Sequence, residues 1–557
     1  MSLEQQASGA GSEYAPGQLD LLGGLSFESI LDQGPRVGGG GFERLISSRT
    51  VGEALLCCFG TTTVDTSTAV SRLTWYIGHL DQLISDQVNE IIHHHHFRKL
   101  EASWRGLRYL VGLAGELADE EDIDRGGIEV RVLNLSLRDL NRDFERASEF
   151  DQSHLFRQVY TQEFGTPGGT PFGMLIADYE FEAFPRRNGP PKKAEAMTSD
   201  SSNGHLGRPD ESDDFPYDGL EILRSMAAVG AAAFCPVITS VGPEFFDLKS
   251  FDELDRMTGS LDRLFDKNRD NRYIKLQSLR DSEDSRFLGL TLPRVLMRRP
   301  WDPDFDSRWV GRNEAEATGF RFQEQVRGRD RSKYLWANAG YAFGEVVLRA
   351  YAQSGWLADI RGVMRNIKGG GLVTGLPFES LGTDRDGVAI KNSTEVVVTD
   401  RQERELAQAG FLPVCDCHDT EFSAFYSNQS FQRPKSYSGD AGTMNARMSS
   451  MLQYILCASQ FARYVKCIAR DKIGTHTDPD SMRDFLDDWI KQYVTDDGDA
   501  SRDAKARMPL RKAEILVRSR AGEPGVMDCE MFFQPHYELD DMATSVRVKT
   551  EFQKSGG

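Results

Sequence analysis

Four consecutive histidines, His93–His96, are the residues best suited by type to hold a transition metal. On a helix, however, four neighbours point in four directions, whereas zinc pairs sit at i, i+4 with a further ligand supplied from elsewhere. The spacing therefore favours a surface or interface role. Cys415-Asp416-Cys417-His418 is denser in ligands, yet no second cysteine pair lies nearby at zinc-site spacing, so a loop with incidental thiols is the better reading. Lys368 before Gly369-Gly370-Gly371 resembles a phosphate-cradling loop, but in such loops the lysine follows the glycines and a Ser or Thr comes next. Here that order is reversed, and a nucleotide site is rejected. Neither a G-x-S-x-G elbow nor an H-E-x-x-H helix occurs. The cluster Ser282-Glu283-Asp284-Ser285-Arg286 reads as a loop capping the next strand, with Arg286 pairing one acid. No catalytic, metal-binding or cofactor-binding residue is assigned, and no cofactor is expected.

Two other patterns point to contacts instead of reactions. Arg463, Lys466 and Arg470 fall at i, i+3, i+7 on a predicted helix and form a cationic stripe. A solvated face is the default expectation, and contact with an acidic partner is the alternative. Near the end of the chain, Val546, Val548, Thr550 and Phe552 alternate strictly with Arg547, Lys549 and Glu551. Such a strand either pairs within its own chain or adds to the sheet edge of another subunit, and spacing alone leaves both open.

The elements that must position these residues are those of a large α/β chain. At 557 residues it exceeds one simple core, and 39% apolar with 27% charged residues fits a soluble protein with ample core material. A net charge of −19 disfavours a general nucleic-acid binder, whose footprint is normally basic. The most apolar run, Met226–Thr239, is shorter than the ~20 residues a membrane span requires. The N-terminus lacks the basic and apolar regions of a secretory signal. Eight scattered cysteines, two of them adjacent at Cys57 and Cys58, fit reduced thiols in a cytoplasmic protein.

Along the chain, residues 1–60 read as a flexible, Gly-rich arm with one short amphipathic patch at Phe27, Ile30 and Leu31, expected to order only on a partner. A helical region follows over 61–120. In it, Phe97, Leu100, Trp104, Leu107 and Val111 recur at steps of three and four, which predicts an apolar stripe facing the core. An α/β body is expected over 121–500, with strands predicted at Ile128–Val132, Phe172–Ala177, Phe234–Val241, Arg286–Leu296 and Glu395–Thr399. Residues 185–215 change sharply to a polar, Pro- and Ser-containing composition, the mark of a disordered surface insertion. One long helix is predicted over Ala446–Asp471, with Leu452, Ile455, Leu456, Cys457 and Phe461 inward. Residues 501–557 read as a β-rich end with a turn at 523–525.

The run His95-His96-Phe97-Arg98-Lys99-Leu100-Glu101-Ala102-Ser103-Trp104-Arg105-Gly106-Leu107 resembles the TssC family (VipB/EvpB-like), the large contractile-sheath subunits of bacterial type VI secretion systems. The match continues in order through Asp178-Tyr179-Glu180-Phe181, Gly289-Leu290-Thr291-Leu292-Pro293-Arg294, Tyr334-Leu335-Trp336, Thr394-Glu395, Gln432-Arg433-Pro434-Lys435 and Gln534-Pro535-His536-Tyr537. The insertion at 185–215 and the Gly-rich arm depart from the family pattern. The resemblance implies a contractile tail-sheath-like α/β fold and a structural role without catalysis. It implies pairing with a small subunit, TssB, and polymerisation of the heterodimers around an Hcp tube on a baseplate. It also implies strands exchanged between neighbours and an N-terminal helix read by the AAA+ unfoldase ClpV, with no nucleic acid and no direct membrane insertion. The sheath of a phage-tail-like injection particle is the alternative within this class, and a metal-dependent hydrolase the alternative outside it.

Overall fold

The computed structural model describes residues 66–120, 127–166, 168–182, 217–256, 272–301, 322–326, 331–363, 368–380, 391–417, 420–472, 478–498, 500–520, 527–536 and 546–552. The patch Phe27, Ile30 and Leu31 and the whole of the 185–215 insertion lie outside these residues. The chain divides into two units, the smaller drawn from 1–92, 194–211 and 301–324. In the smaller unit the long helix α1 (Thr66–His93) carries Asn89, whose amide donates to the Ser85 carbonyl at 2.8 Å and to that of Gln323 at 3.4 Å.

The larger unit begins with α2 (His95–Glu120) and α3 (Leu137–Arg146), the latter opened by Ser136, whose Oγ accepts from the Asp139 amide. Its centre is a parallel sheet. The chain runs through β1 (Leu175–Phe181), α4 (Gly219–Ala232), β2 (Val237–Val241), α5 (Arg272–Asp281) and β3 (Leu288–Leu292). It then forms an antiparallel pair, β4 (Val295–Arg298) with β5 (Leu335–Ala337), before α6 (Gly340–Ser354) and α7 (Asp400–Gln408) lead to β6 (Phe411–Pro413). The strand order is β1-β2-β3-β6, parallel throughout.

Because side chains alternate along a strand, the sheet feeds two cores, one on each face. Val237, Val241, Leu288, Leu290, Leu292 and Phe411 pack under α4 with Ile222, Leu223 and Met226. Ile238 and Leu412 face the other way, toward α6, Leu110 of α2, and Leu452 and Leu456. Both faces are covered, which is why these strands read as continuous apolar runs.

The C-terminal part forms a third core. Helices α8 (Asp440–Ser449), α9 (Leu452–Lys472) and α10 (Pro479–Lys491) precede an antiparallel sheet of β7 (Leu510–Ser519), β8 (Met527–Pro535) and β9 (Val546–Phe552), in that order. Phe461 stacks on Trp356 at 4.1 Å between ring centres, among Leu486, Ile515, Met531 and Phe533. The predicted inward residues Leu452, Ile455, Leu456, Cys457 and Phe461 are all buried.

Several sequence expectations need correction. The single helix over 446–471 is two, broken where Gln429 bridges Met451 and Ser450 caps α8. Ile128–Val132 is in neither helix nor strand and joins no ladder among the described residues. Its Arg131 is instead engaged by Glu129, Glu163 and Thr170. Glu395–Thr399 is likewise not a strand. Just before it, Thr394 makes one antiparallel bridge with Val295, and side chains hold the rest, with Asp416 accepting from Thr394 Oγ1 at 2.6 Å and Thr399 forming a capping box with Gln402. The predicted strand Arg286–Leu296 is split by Pro293, which separates β3 from β4. Among the described residues, no helix is long and apolar enough to cross a membrane.

Leu290 is fully buried at the middle of β3. Leu290→Ala is expected to lower stability by about 2–5 kcal/mol, through lost transfer energy plus a cavity. Urea unfolding followed by tryptophan fluorescence checks this, read as a lower midpoint at unchanged slope.

Candidate assembly interface

The helix α2 holds the residues singled out from the sequence, and its orientation reverses the expectation. The face turned to the body is Ala102, Gly106, Leu110, Ala114 and Leu117, all buried. A Cβ on Gly106 would stand 2.5 Å from the Tyr341 ring, and one on Gly344 of α6 would stand 2.9 Å from Leu110. Small residues on both helices thus allow close approach, and the space is filled by Tyr341 and Leu110.

Polar side chains flank that contact. Glu101 accepts from Arg298 Nε at 2.8 Å and from Arg105 Nε at 2.7 Å. Ser103 Oγ donates to Asp178 of β1 at 2.5 Å. Tyr109 donates to Glu345, which also pairs with Arg349 at 2.9 Å and accepts from the Thr374 amide at 2.9 Å. Burial pushes the Tyr109 phenol well above its ordinary range, and the Glu345 carboxylate adds to the shift. Tyr341 moves the same way, by burial first and then by Asp178. Both phenols therefore stay protonated as donors.

The stripe expected to be core is the solvent face. Phe97 is 40% exposed, Leu100 58%, Trp104 64% and Val111 51%, with Leu107 half-buried. The period was legible and the phase was not, because hydrophobicity ranks the large side chains as inward. The signal that marks the true docking face is the run of small residues at Ala102, Gly106 and Ala114, spaced four and eight apart. On α1, considered by itself, Val70, Ile77, Ile84 and Ile91 are exposed at intervals of seven, the repeat of a coiled-coil seam.

The other candidates fall into place around this picture. His94 marks the break between α1 and α2, and the rings of His94, His95 and His96 lie 3.7–5.4 Å apart. Among the described residues, no three His, Cys, Asp or Glu side chains are grouped to hold a metal ion. Cys415 is buried and Cys417 half-buried, burial raises both thiols, and His418 lies outside the described residues. Lys368 and the three glycines belong to a turn in which Gly371 donates to the Gly362 carbonyl.

The cationic stripe on α9 turns into its own chain and is not a solvated face. Arg463 is buried and donates to the carbonyls of Phe234 at 2.6 Å and Gly173 at 3.2 Å. Lys466 donates to Tyr160 OH at 2.6 Å and sits 4.6 Å from that ring's centre. Arg470 donates to the carbonyls of Glu163, Thr166 and Gly169. β9 pairs antiparallel with β8 of the same chain, Val546 opposite Phe533 and Phe552 opposite Met527, which places Val548 opposite Met531 and Thr550 opposite Cys529.

An α/β body with filled cores, carrying on α2 an exposed stripe of Phe97, Leu100, Trp104 and Val111, has the features of a chain that docks onto partners. Residues 75–432 match the model of the EvpB/VC_A0108 tail sheath N-terminal domain, and residues 441–552 that of the EvpB/VC_A0108 tail sheath gpW/gp25-like domain. The type VI secretion system sheath protein TssC1 of Pseudomonas aeruginosa is 35% identical over 492 residues, covering 87% of each chain. A solved sheath tail protein from Desulfitobacterium hafniense is 10% identical with a TM-score of 0.26, covering 64% of this chain and 68% of that one, a likeness too distant to support the fold. The chain belongs to the EvpB/VC_A0108 tail sheath family, that of the type VI secretion contractile sheath, whose members are structural proteins.

Gly106→Leu is expected to destabilise α2 docking by about 1–3 kcal/mol, because the new side chain meets the Tyr341 ring. Faster amide exchange confined to α2 and the start of α6 is the readout.

Proposed function

We propose that this chain is the large subunit of a cytoplasmic contractile sheath, pairing with a small TssB-type subunit and polymerising around an Hcp-type tube on a baseplate. The observation that best supports pairing is the exposed stripe Phe97, Leu100, Trp104 and Val111 on a helix whose other face is already docked. Burying such side chains is worth about 1.5–3 kcal/mol each, and an amphipathic partner helix is the natural complement. The seven-residue repeat on α1 fits the same kind of partner. The boundaries proposed are an arm over 1–60, a helical region over 61–120, a body over 121–500 and a linking β segment over 501–557. In the arm, Phe27, Ile30 and Leu31 are proposed as the site read by a ClpV-type unfoldase after contraction.

The strand β9 is proposed as the linker between heterodimers. It lies at the edge of its sheet, and a ladder formed with β8 in one chain is equally available to the same strand from a neighbour. Val546, Val548, Thr550 and Phe552 are the residues of that exchange.

Two outcomes test this reading. Leu100→Ser with Trp104→Ser is expected to leave the chain's thermal stability within about 0.5 kcal/mol, as for exposed sites generally, while abolishing co-purification with the small subunit. Undiminished pairing would sink the stripe as the partner surface. Deleting residues 545–557 is expected to spare heterodimers and block filaments. Normal sheaths in electron micrographs of the truncated protein would refute the linker.

A further inference from the structure

At the C-terminal rim of the parallel sheet, acidic side chains from separate segments converge on one guanidinium. Arg294 follows β3, with Nη2 2.6 Å from Glu180 at the end of β1 and Nη1 3.3 Å from Glu395. Its carbonyl accepts from the Glu395 amide at 3.0 Å, so backbone and side chain tie the same two segments. Glu244 follows β2. A Cβ on Gly242 would stand 2.8 Å from the Glu244 carboxylate and 3.0 Å from that of Glu180, so both acids border one small space.

Other elements close the cluster. The Phe251 ring lies 5.8 Å from the Arg294 guanidinium carbon. Arg331 donates to the Glu395 carbonyl at 2.7 Å and lies 3.8 Å from Asp252, while Glu182 adds negative field at Glu244. On the far side of the 393–395 segment, the Asp416 carboxylate takes hydrogen bonds from Ser393, Thr394 and Ser423. Glu180, Glu244 and Glu395 thus share the one cation Arg294, with Asp252 and Arg331 balancing each other beside it.

Ionising Glu395 places a buried negative charge beside a guanidinium that Glu180 and Glu244, both reaching solvent at the rim, already border, and that carries a penalty. Burial, opposed by Arg294 and reinforced by Glu180 and Asp252, pushes the Glu395 carboxyl up to about 7. Glu244 is also raised, chiefly by burial. We propose that Glu180, Glu244, Arg294 and Glu395 form a proton-operated latch, which holds the ends of β1, β2 and β3 to the 393–396 segment when a proton is bound and loosens when it is lost. For Glu395, whose native value lies above its unfolded one, the stabilising contribution is full below about 4.5 and is lost as pH rises through about 7.

The test is hydrogen exchange of the full chain at pH 6 and pH 8, corrected for intrinsic exchange chemistry. Linkage with those two values gives about a tenfold rise in opening of the 393–396 segment and the β3–β4 turn between these pH values. Glu395→Gln keeps the shape and removes the titrating proton, so the rise should vanish. Glu180→Gln frees Arg294 for Glu395 and removes a like charge, so the wild-type midpoint should move to lower pH. Equal protection at both pH values in the wild type would overturn the latch. So would a tenfold rise persisting in Glu395→Gln, or an unmoved midpoint in Glu180→Gln should Glu395→Gln fail to fold.

Discussion

The approach of α2 to α6 is the constraint on which the rest of the body depends. Tyr341 occupies the space where a side chain at position 106 would stand, and only glycine permits it. That contact closes the second core above Ile238 and Leu412, without which one face of a parallel sheet would be open to water. It also fixes the rotation of α2. Small residues lie inward, polar ones at the flanks reach Asp178, Arg298 and Glu345, and the large apolar ones have nowhere to go but out. The outward stripe is therefore a consequence of the inward glycine.

The sequence made the elements more legible than their faces. Strands buried on both sides announce themselves as apolar runs, and the C-terminal sheet by strict alternation, because both patterns come from the local geometry of extended chain. Failures came where long-range groups decide. Ile128–Val132 alternates correctly yet joins no ladder among the described residues, and what it meets is decided by Glu163 and Thr170, more than thirty positions on, which hold Arg131. Glu395–Thr399 has strong β propensity but is shaped by Asp416, Arg294 and Gln402. Arg463, Lys466 and Arg470 share one helical face, and that face meets the backbone carbonyls of residues nearly 300 positions away. Nothing in a local window reports such partners.

The buried ionic groups have in common that they join segments distant in sequence. Glu345 and Arg349 bind α2 and the 372–375 turn to α6, and Arg298 at the end of β4 reaches Glu101 of α2. Hydrophobic replacement of such pairs is often neutral or stabilising, so they are poor explanations of net stability. They are better explanations of geometry. An apolar interface tolerates sliding, whereas a charge left unpaired in a buried site costs several kcal/mol, so each pair sets the position of its segments. A subunit that must repeat identically along a polymer needs that fixed geometry more than it needs extra stability.

Assembly of such a chain faces an electrostatic problem. A net charge of −19 makes identical copies repel, and turning Arg463, Lys466 and Arg470 inward leaves fewer cations to offset the acids outside. Repulsion between exposed charges is screened within about 8 Å at physiological salt, so attraction must act at contact range. Main-chain ladders and apolar stripes meet that requirement, because neither depends on the sign of the approaching surface. β7 adds a local correction, since it exposes Arg511, Lys512 and Arg518 on the sheet that ends in β9. Those cations lie across β8 from β9, in the sheet proposed above to exchange a strand with a neighbour.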